Sequence, residues 1–418
     1  MTRILPGGGR TGTASCPPSK SQMHRYLICA ALSDEPSVLH CGALSRDVRA
    51  TVGSLRALGA QIVEKKDALW ISPRRTAAGL RRLPCGESGS TLRFLLPIAA
   101  ALGAEAAFSI SPRLAQRPLQ PLQEQLASHG VSLQWEDGTL FCSGKLRLSG
   151  DYTLPGNISS QFISGLLFAL PLLSGDSTLT VTGDVESCSY LDMTEAALRR
   201  SGISFEKNGQ TYHISGRQTY HITGELTPEG DWSGAAPFLC AGALGGGGIT
   251  VTGLDVHSLQ GDRAVADLLR RFGADVRCAE NSVTVRPGRL HGITVDASQI
   301  PDLVPAVSVT AALAEGDTYI THAQRLRWKE SDRLHATAEL LRSLGGSSEE
   351  REDGLVIHGR PVLNGGMADP HGDHRIAMAA AAAACGCREN VILSQAECVE
   401  KSYPRFWDDY ALLKGGSL

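Results

Sequence analysis

Residues 302–346, DLVPAVSVTAALAEGDTYITHAQRLRWKESDRLHATAELLRSLGG, hold the two kinds of helix that repeat along this chain and a strand between them. The stretch opens on polar Asp302, runs through small apolar residues that suit a buried helix, and reaches the β-branched Thr318-Tyr319-Ile320-Thr321, which reads as a strand. A charged link follows. Leu334, Ala338, Leu341 and Leu344 then recur at three- and four-residue spacings, the stripe of a half-exposed helix, and Gly345 stands where a helix C-cap turns left-handed.

Both halves of this pattern repeat along the chain. The striped helix returns as Val48, Val52, Leu55 and Leu58 before Gly59, as Leu119, Leu122 and Leu126 before Gly130, and as Val265, Leu268 and Phe272 before Gly273. Met193 to Gly202 is a weaker copy. Alternating strands such as Leu69-Trp70-Ile71 and Ser282-Val283-Thr284-Val285 follow. The buried helix starts near Lys20, Gly89, Ser160, Ser233, Asp302 and Asp373, at intervals of 69, 71, 73, 69 and 71 residues. Units of this size bury a sheet face only against neighbours, and two α/β domains of three units each fit 418 residues better than one rod. The expected domains are 18–229, and 1–17 with 230–418, joined through a linker or hinge in the polar stretch Thr223–Gly230.

Composition narrows the function. With 40 Lys+Arg against 43 Asp+Glu the net charge is −3, so no global basic field favours nucleic acid or an anionic membrane. Any anion site must be local. The 11 cysteines are an odd number with no CxxC, which predicts reduced, mostly buried thiols in the cytoplasm. No stretch reaches the ~18 apolar residues of a membrane span, and the room before Lys20 is too short for a transit peptide. Neither metal nor cofactor is expected; His371 and His374, beside Asp369 and Asp373, are better explained by capping and packing.

Charged motifs gather where the buried helices open. Pro18-Ser19-Lys20-Ser21-Gln22-Met23-His24-Arg25, Gly86-Glu87-Ser88-Gly89-Ser90-Thr91-Leu92-Arg93, Gly156-Asn157-Ile158-Ser159-Ser160-Gln161 and Gly372-Asp373-His374-Arg375 occupy equivalent places. Helix N-termini offer free N–H groups and a positive dipole end. Capping alone explains any single motif of this kind, but several in register, three with Lys or Arg, point to a seat for phosphate or carboxylate. Further cations lie in Ser111–Pro118 and Arg327–Arg333.

The motifs Pro18-Ser19-Lys20-Ser21, Gly89-Ser90-Thr91-Leu92-Arg93, Gln116-Arg117-Pro118, Ser159-Ser160-Gln161, Ile300-Pro301-Asp302, Lys329-Glu330-Ser331-Asp332-Arg333 and Asp373-His374-Arg375-Ile376 together resemble the 5-enolpyruvylshikimate-3-phosphate synthase family of enolpyruvyl transferases, in order and over almost the whole chain. The resemblance implies a two-domain inside-out αβ barrel of six βαβαββ units, three per domain about a pseudo-threefold axis, with the active site in the cleft between them. It implies transfer of the enolpyruvyl group of phosphoenolpyruvate to the 5-hydroxyl of shikimate 3-phosphate, in chorismate and aromatic amino-acid biosynthesis, by a monomer that glyphosate targets. Shikimate 3-phosphate would meet Lys20, Ser21, Arg25, Ser159, Ser160, Gln161, Ser187, Tyr190, Asp302 and Lys329. Phosphoenolpyruvate would meet Lys20, Gly89, Arg117, Gln161, Arg333, Arg375 and Lys401. Glu87, Phe94 and Arg325 depart from residues common in the family.

Adding an alcohol across an enol double bond requires a base at the attacking oxygen and an acid at the methylene carbon. Asp302 and Glu330 are the candidates, with Lys20 next. Two alternatives stand beside this reading. A sister transferase acting on a UDP-amino sugar shares the fold, but typically has Asn where this chain has Ser21 and a reactive Cys where it has Arg117. A non-enzymatic repeat scaffold would explain the units but not the cations at their helix starts.

Overall fold

Five of the sheets repeat one strand arrangement, in which a parallel pair is extended by an antiparallel hairpin. The computed structural model describes residues 1–73, 79–146 and 150–415. Its contacts divide the chain into two compact units, Lys20–Pro228 and Met1–Ser19 with Glu229–Leu418. Each has its own hydrophobic core.

In the unit Lys20–Pro228, strand Arg81–Gly86 leads through helix Gly89–Ala101 to the parallel strand Ala106–Ile110. Helix Gln120–Ser128 and the hairpin Val131–Glu136 and Thr139–Gly144 complete the module. A parallel pair needs a long crossover, and the helix that supplies it is buried on nearly every side. Strands Gly150–Pro155, Ser177–Thr182, Thr211–Ile214 and Glu206–Asn208 repeat the arrangement. In the third sheet the leading strand is Gly224–Leu226, parallel to Ser37–His40. Three residues of the expected linker are therefore a strand: the first module has lost its own leading strand to chain order, and the segment leaving the unit closes that edge.

The other unit follows the same rule twice, in sheets led by Arg10–Ser15 and by Thr294–Asp296. Its third sheet differs from the expected βαβαββ unit. Strands Gly366–Ala368 and Val391–Leu393 form the parallel pair, but the third strand is Arg3–Leu5, antiparallel to Val391–Leu393. The C-terminal segment turns instead into helix Phe406–Ala411 and a short strand on the Arg10–Ser15 sheet. Strand Arg3–Leu5 takes the edge that a hairpin fills in the other sheets.

The buried helices begin at Lys20, Gly89, Ser160, Trp232, Val304 and His374, within two residues of the expected starts. The glycines ending the striped helices, Gly59, Gly130, Gly202, Gly273 and Gly345, all have positive φ, which costs a residue without Cβ least. Pro97, inside helix Gly89–Ala101, cannot donate to the Arg93 carbonyl, and helix Ser160–Ala169 packs there through Gly165, whose added Cβ would collide with that oxygen. All 11 cysteines are free. Among the described residues no helix is long and apolar enough to cross a membrane.

Candidate active site

In the unit Lys20–Pro228, hydrogen bonds tie the openings of the three buried helices together. Lys20 Nζ lies 3.0 Å from Asp47 Oδ2, and the Asp47 carbonyl accepts from Thr91 Oγ1 at 3.4 Å. Thr91 is held by Ser88, the N-cap of helix Gly89–Ala101. Gln161 at the opening of helix Ser160–Ala169 donates to Ser90 Oγ at 3.0 Å and accepts from Arg93 Nη1 at 2.8 Å. A Cβ on Gly89 would sit 3.2 Å from Arg93 Nη1, 3.3 Å from Arg117 Nη1 and 3.5 Å from Gln161 Oε1. Lys20, Gly89, Arg117 and Gln161, expected together from their motifs, thus share one neighbourhood.

Arg25 is 2% exposed, with its guanidinium carbon 5.3 Å from the Phe94 ring and 5.9 Å from the Tyr190 ring. Its Nε donates to Thr194 Oγ1 at 2.9 Å, and its terminal nitrogens donate to the carbonyls of Ser21 and Tyr190, each at 2.7 Å. No carboxylate pairs with it among the described residues. One N–H on each terminal nitrogen is left over, the fork that a carboxylate accepts. Burial without an acid pushes Arg25 down to about 10. Ser187 precedes helix Cys188–Arg200 at φ 57°, a left-handed backbone uncommon for serine. Ser159 caps its helix through Gln161 N, so capping and the expected substrate contact fall on one residue.

In the other unit, Arg333 organises the acids. This side chain, 1% exposed, donates from Nε to Asp373 at 2.7 Å, from Nη1 to Asp302 at 2.7 Å and from Nη2 to Glu330 at 2.8 Å. A further bond from Nη2 to Asp373 is 3.3 Å long. Arg333 was expected at a substrate carboxylate; in this structure the protein's own acids take all but one of its hydrogens. Lys329 Nζ stands 3.9 Å from Asp302 Oδ1, and Arg375 Nη2 stands 3.6 Å from Asp302 Oδ2. Burial alone would raise the Asp302 carboxyl, but Lys329, Arg333 and Arg375 outweigh it and hold the group far below the usual range. Burial pushes Lys329 down to about 8 against the pull of Asp302, although water reaches 24% of its side chain. Lys401 is buried at the end of the turn Ala396–Lys401, packed on helix His374–Ala384. His371 pairs with Glu339 at 2.8 Å, and His374 Nδ1 lies 3.5 Å from Asp373.

The partners of these residues were missed in the sequence. Arg93 follows Gly89 by four positions and so shares its helix face, a signal in plain view. Asp47, and Asp373 as an acceptor for Arg333, had no such signal, because each meets its partner only through the tertiary fold.

Residues 6–410 match the family described as EPSP synthase (3-phosphoshikimate 1-carboxyvinyltransferase). The chain belongs to the EPSP synthase family. It is 43% identical over 407 residues to a 3-phosphoshikimate 1-carboxyvinyltransferase from Clostridium kluyveri, covering 97% of this chain and 95% of that protein. A namesake from Clostridium acetobutylicum is 42% identical over 412 residues, with 97% and 95% covered. Among solved structures, EPSP synthase from Acinetobacter baumannii superimposes with a TM-score of 0.81 at 26% identity, covering 100% of this chain and 98% of that one. The enolpyruvyl transferase NikO from Streptomyces tendae shares the fold at a TM-score of 0.77 and 20% identity, with 99% and 98% covered. Membership of the EPSP synthase family accounts for an acidic chain that nonetheless concentrates cations at its helix openings.

Proposed function

We propose that this enzyme transfers the enolpyruvyl group of phosphoenolpyruvate to the 5-hydroxyl of shikimate 3-phosphate, giving 5-enolpyruvylshikimate 3-phosphate and phosphate, a step of aromatic amino-acid biosynthesis. The observation that carries the reading is the Arg333 node, which holds two candidate proton-transfer groups, Asp302 and Glu330, while Lys329 and Arg375 stand beside Asp302.

Arg25, with a free N–H fork and no acid, receives the shikimate carboxylate. Ser159, Ser160 and Lys329 take its phosphate, with Ser21, Ser187 and Tyr190 around the ring. Lys20, Gly89, Arg117, Gln161 and Lys401 receive the phosphoenolpyruvate phosphate, and Arg375 its carboxylate, joined by the last hydrogen of Arg333.

In the free protein the cations around Asp302 make it a poor base. Anionic substrates draw Lys329 and Arg375 onto themselves, and the basicity of Asp302 recovers when it is needed. Glu330 protonates the methylene carbon, Asp302 takes the proton of the attacking 5-hydroxyl, and the new C–O bond closes a tetrahedral intermediate. The Glu330 carboxylate then removes a proton from the new methyl group as the C–O bond to phosphate breaks. Surrounding cations stabilise the departing charge, and the hydroxyl proton held by Asp302 leaves with the released phosphate, which restores both carboxyls.

Phosphate release that requires both substrates, with the product identified by mass, tests the reading. Release without shikimate 3-phosphate, or with UDP-N-acetylglucosamine in its place, would overturn it.

A further inference from the structure

Asp262 is a buried carboxyl, 3% exposed, that the chemistry above does not use. It sits on the turn Gly261–Ala264, packed against helix Trp232–Ala243, and its carboxylate accepts a hydrogen bond from Ser233 at the head of that helix. Among the described residues no basic group lies within ion-pair distance of it. The charges that face it are Asp231 from the same helix head, Asp302 from the turn Pro301–Leu303 and Arg375 from helix His374–Ala384. Arg263, on its own turn, spends its guanidinium on the Val256 carbonyl at 2.9 Å.

Arg375 is the second observation. It is 5% exposed, yet its Nε and Nη1 have no hydrogen-bond partner among the described residues. A buried guanidinium thus stands 3.6 Å from Asp302 through Nη2 and feels the charges of Asp231 and Asp262, while its other two nitrogens donate to nothing among the described residues. Unspent donors of this kind are costly unless a ligand takes them up.

We propose that Asp262 is a positioning residue for Arg375, and that it takes up one proton from solvent when the phosphoenolpyruvate carboxylate engages that guanidinium. The proposal rests on the function proposed above. In the free protein the positive charge of Arg375 helps to keep Asp262 ionised. Once the substrate carboxylate shares that charge, ionised Asp262 has only a serine hydroxyl to offset burial and the repulsion of Asp302, so the neutral carboxyl is favoured. A neutral Asp262 in turn stops competing with the substrate for Arg375. Burial, then the Asp302 charge, already push Asp262 up to about 7, so a small change in surroundings moves its proton near neutral pH.

Uptake of a proton on binding makes affinity fall as pH rises. In phosphate-release assays, the KM of the wild-type enzyme for phosphoenolpyruvate should climb above about pH 7, by up to about tenfold per pH unit relative to Asp262→Asn, whose neutral side chain mimics the protonated acid. The KM for shikimate 3-phosphate should show no such difference. Ser233→Ala removes the hydroxyl that stabilises the carboxylate, so the break should move to higher pH, a shift that a purely structural role would not produce. Superimposable profiles for wild type and Asp262→Asn, or an unmoved break in Ser233→Ala, would overturn the proposal, and Ser233→Ala decides alone if the asparagine variant does not fold. Absence of turnover with both substrates would instead remove the function. Proton uptake on adding phosphoenolpyruvate to weakly buffered protein, followed with an indicator dye, should be larger for the wild type than for Asp262→Asn, and equal uptake by the two would overturn the role of Asp262.

Discussion

Arg25 and Arg333 are equally buried, at 2% and 1% exposure, and respond oppositely. Arg25, which donates only to two carbonyls and a threonine, is pushed down by burial to about 10. Burial acts on Arg333 in the same direction, but Asp373, Glu330 and Asp302 overcome it and hold the guanidinium well above its ordinary range. The contrast separates two uses of one side chain. In the proposed reaction Arg25 is a charge kept for the shikimate carboxylate, whereas Arg333, already neutralised, fixes the two carboxyls proposed to move protons.

If the chemistry belongs to the Arg333 node, its largest signature is the loss of Glu330. Glu330→Gln keeps shape and the hydrogen bond from Arg333 but cannot donate a carboxylic proton, so turnover should fall by roughly 10²–10⁴. In deuterated water the wild-type enzyme should wash deuterium into phosphoenolpyruvate through the transient methyl group, and this exchange should fall in step. Near-normal exchange in the variant would place the acid elsewhere, with Lys20 the next candidate.

The comparison itself breaks or holds on two methionine substitutions. Arg333→Met removes the cation that three buried carboxylates share and should cost about 3–5 kcal/mol of stability, read from denaturant melts. Arg25→Met removes a buried charge with no acid partner, so stability should stay within about 1 kcal/mol while shikimate 3-phosphate binding weakens by roughly 10²–10³. Equal destabilisation by both variants would erase the distinction.

The same contrast marks how much was legible in the sequence. The helix openings could be read because small polar residues, an Ala/Leu run and a closing glycine repeat at a nearly constant interval, and Lys20, Gly89, Gln161 and Arg375 lie at those openings. Gly224–Leu226 could not, since so short a Gly-Glu-Leu triplet becomes a strand only when Ser37–His40 offers it an edge. The triple engagement of Arg333 was hidden too. Asp302 and Asp373 reach it from 31 and 40 residues away, a proximity that no local spacing encodes.

Gly89 probes the neighbourhood of Arg117 and Gln161. The methyl group of Gly89→Ala would press on the ends of Arg93, Arg117 and Gln161 at 3.2–3.5 Å. These are flexible tips, so the fold should survive, but two guanidinium groups must shift. Phosphoenolpyruvate binding should weaken about tenfold, since small misplacements of binding groups are costly, with shikimate 3-phosphate binding spared. Equal weakening of both ligands in a titration would remove Gly89 from the phosphate seat.

The smallest effect concerns pH and Lys329, whose amine burial pushes down to about 8. A phosphate binds the charged amine, so the free protein must carry that proton: affinity for shikimate 3-phosphate is full below about 8 and falls above it, by at most about tenfold per pH unit. The substrate does not confuse the reading, because a phosphate monoester loses its second proton near pH 6. Arg25 stays charged throughout this window, at about 10, so it contributes no break there. Lys329→Arg replaces the titrating amine by a guanidinium that holds its proton, and the break should vanish even if affinity drops because the longer fork fits less well. A break near pH 8 that persists in Lys329→Arg would assign it to another group and leave Lys329 without a role in holding the phosphate.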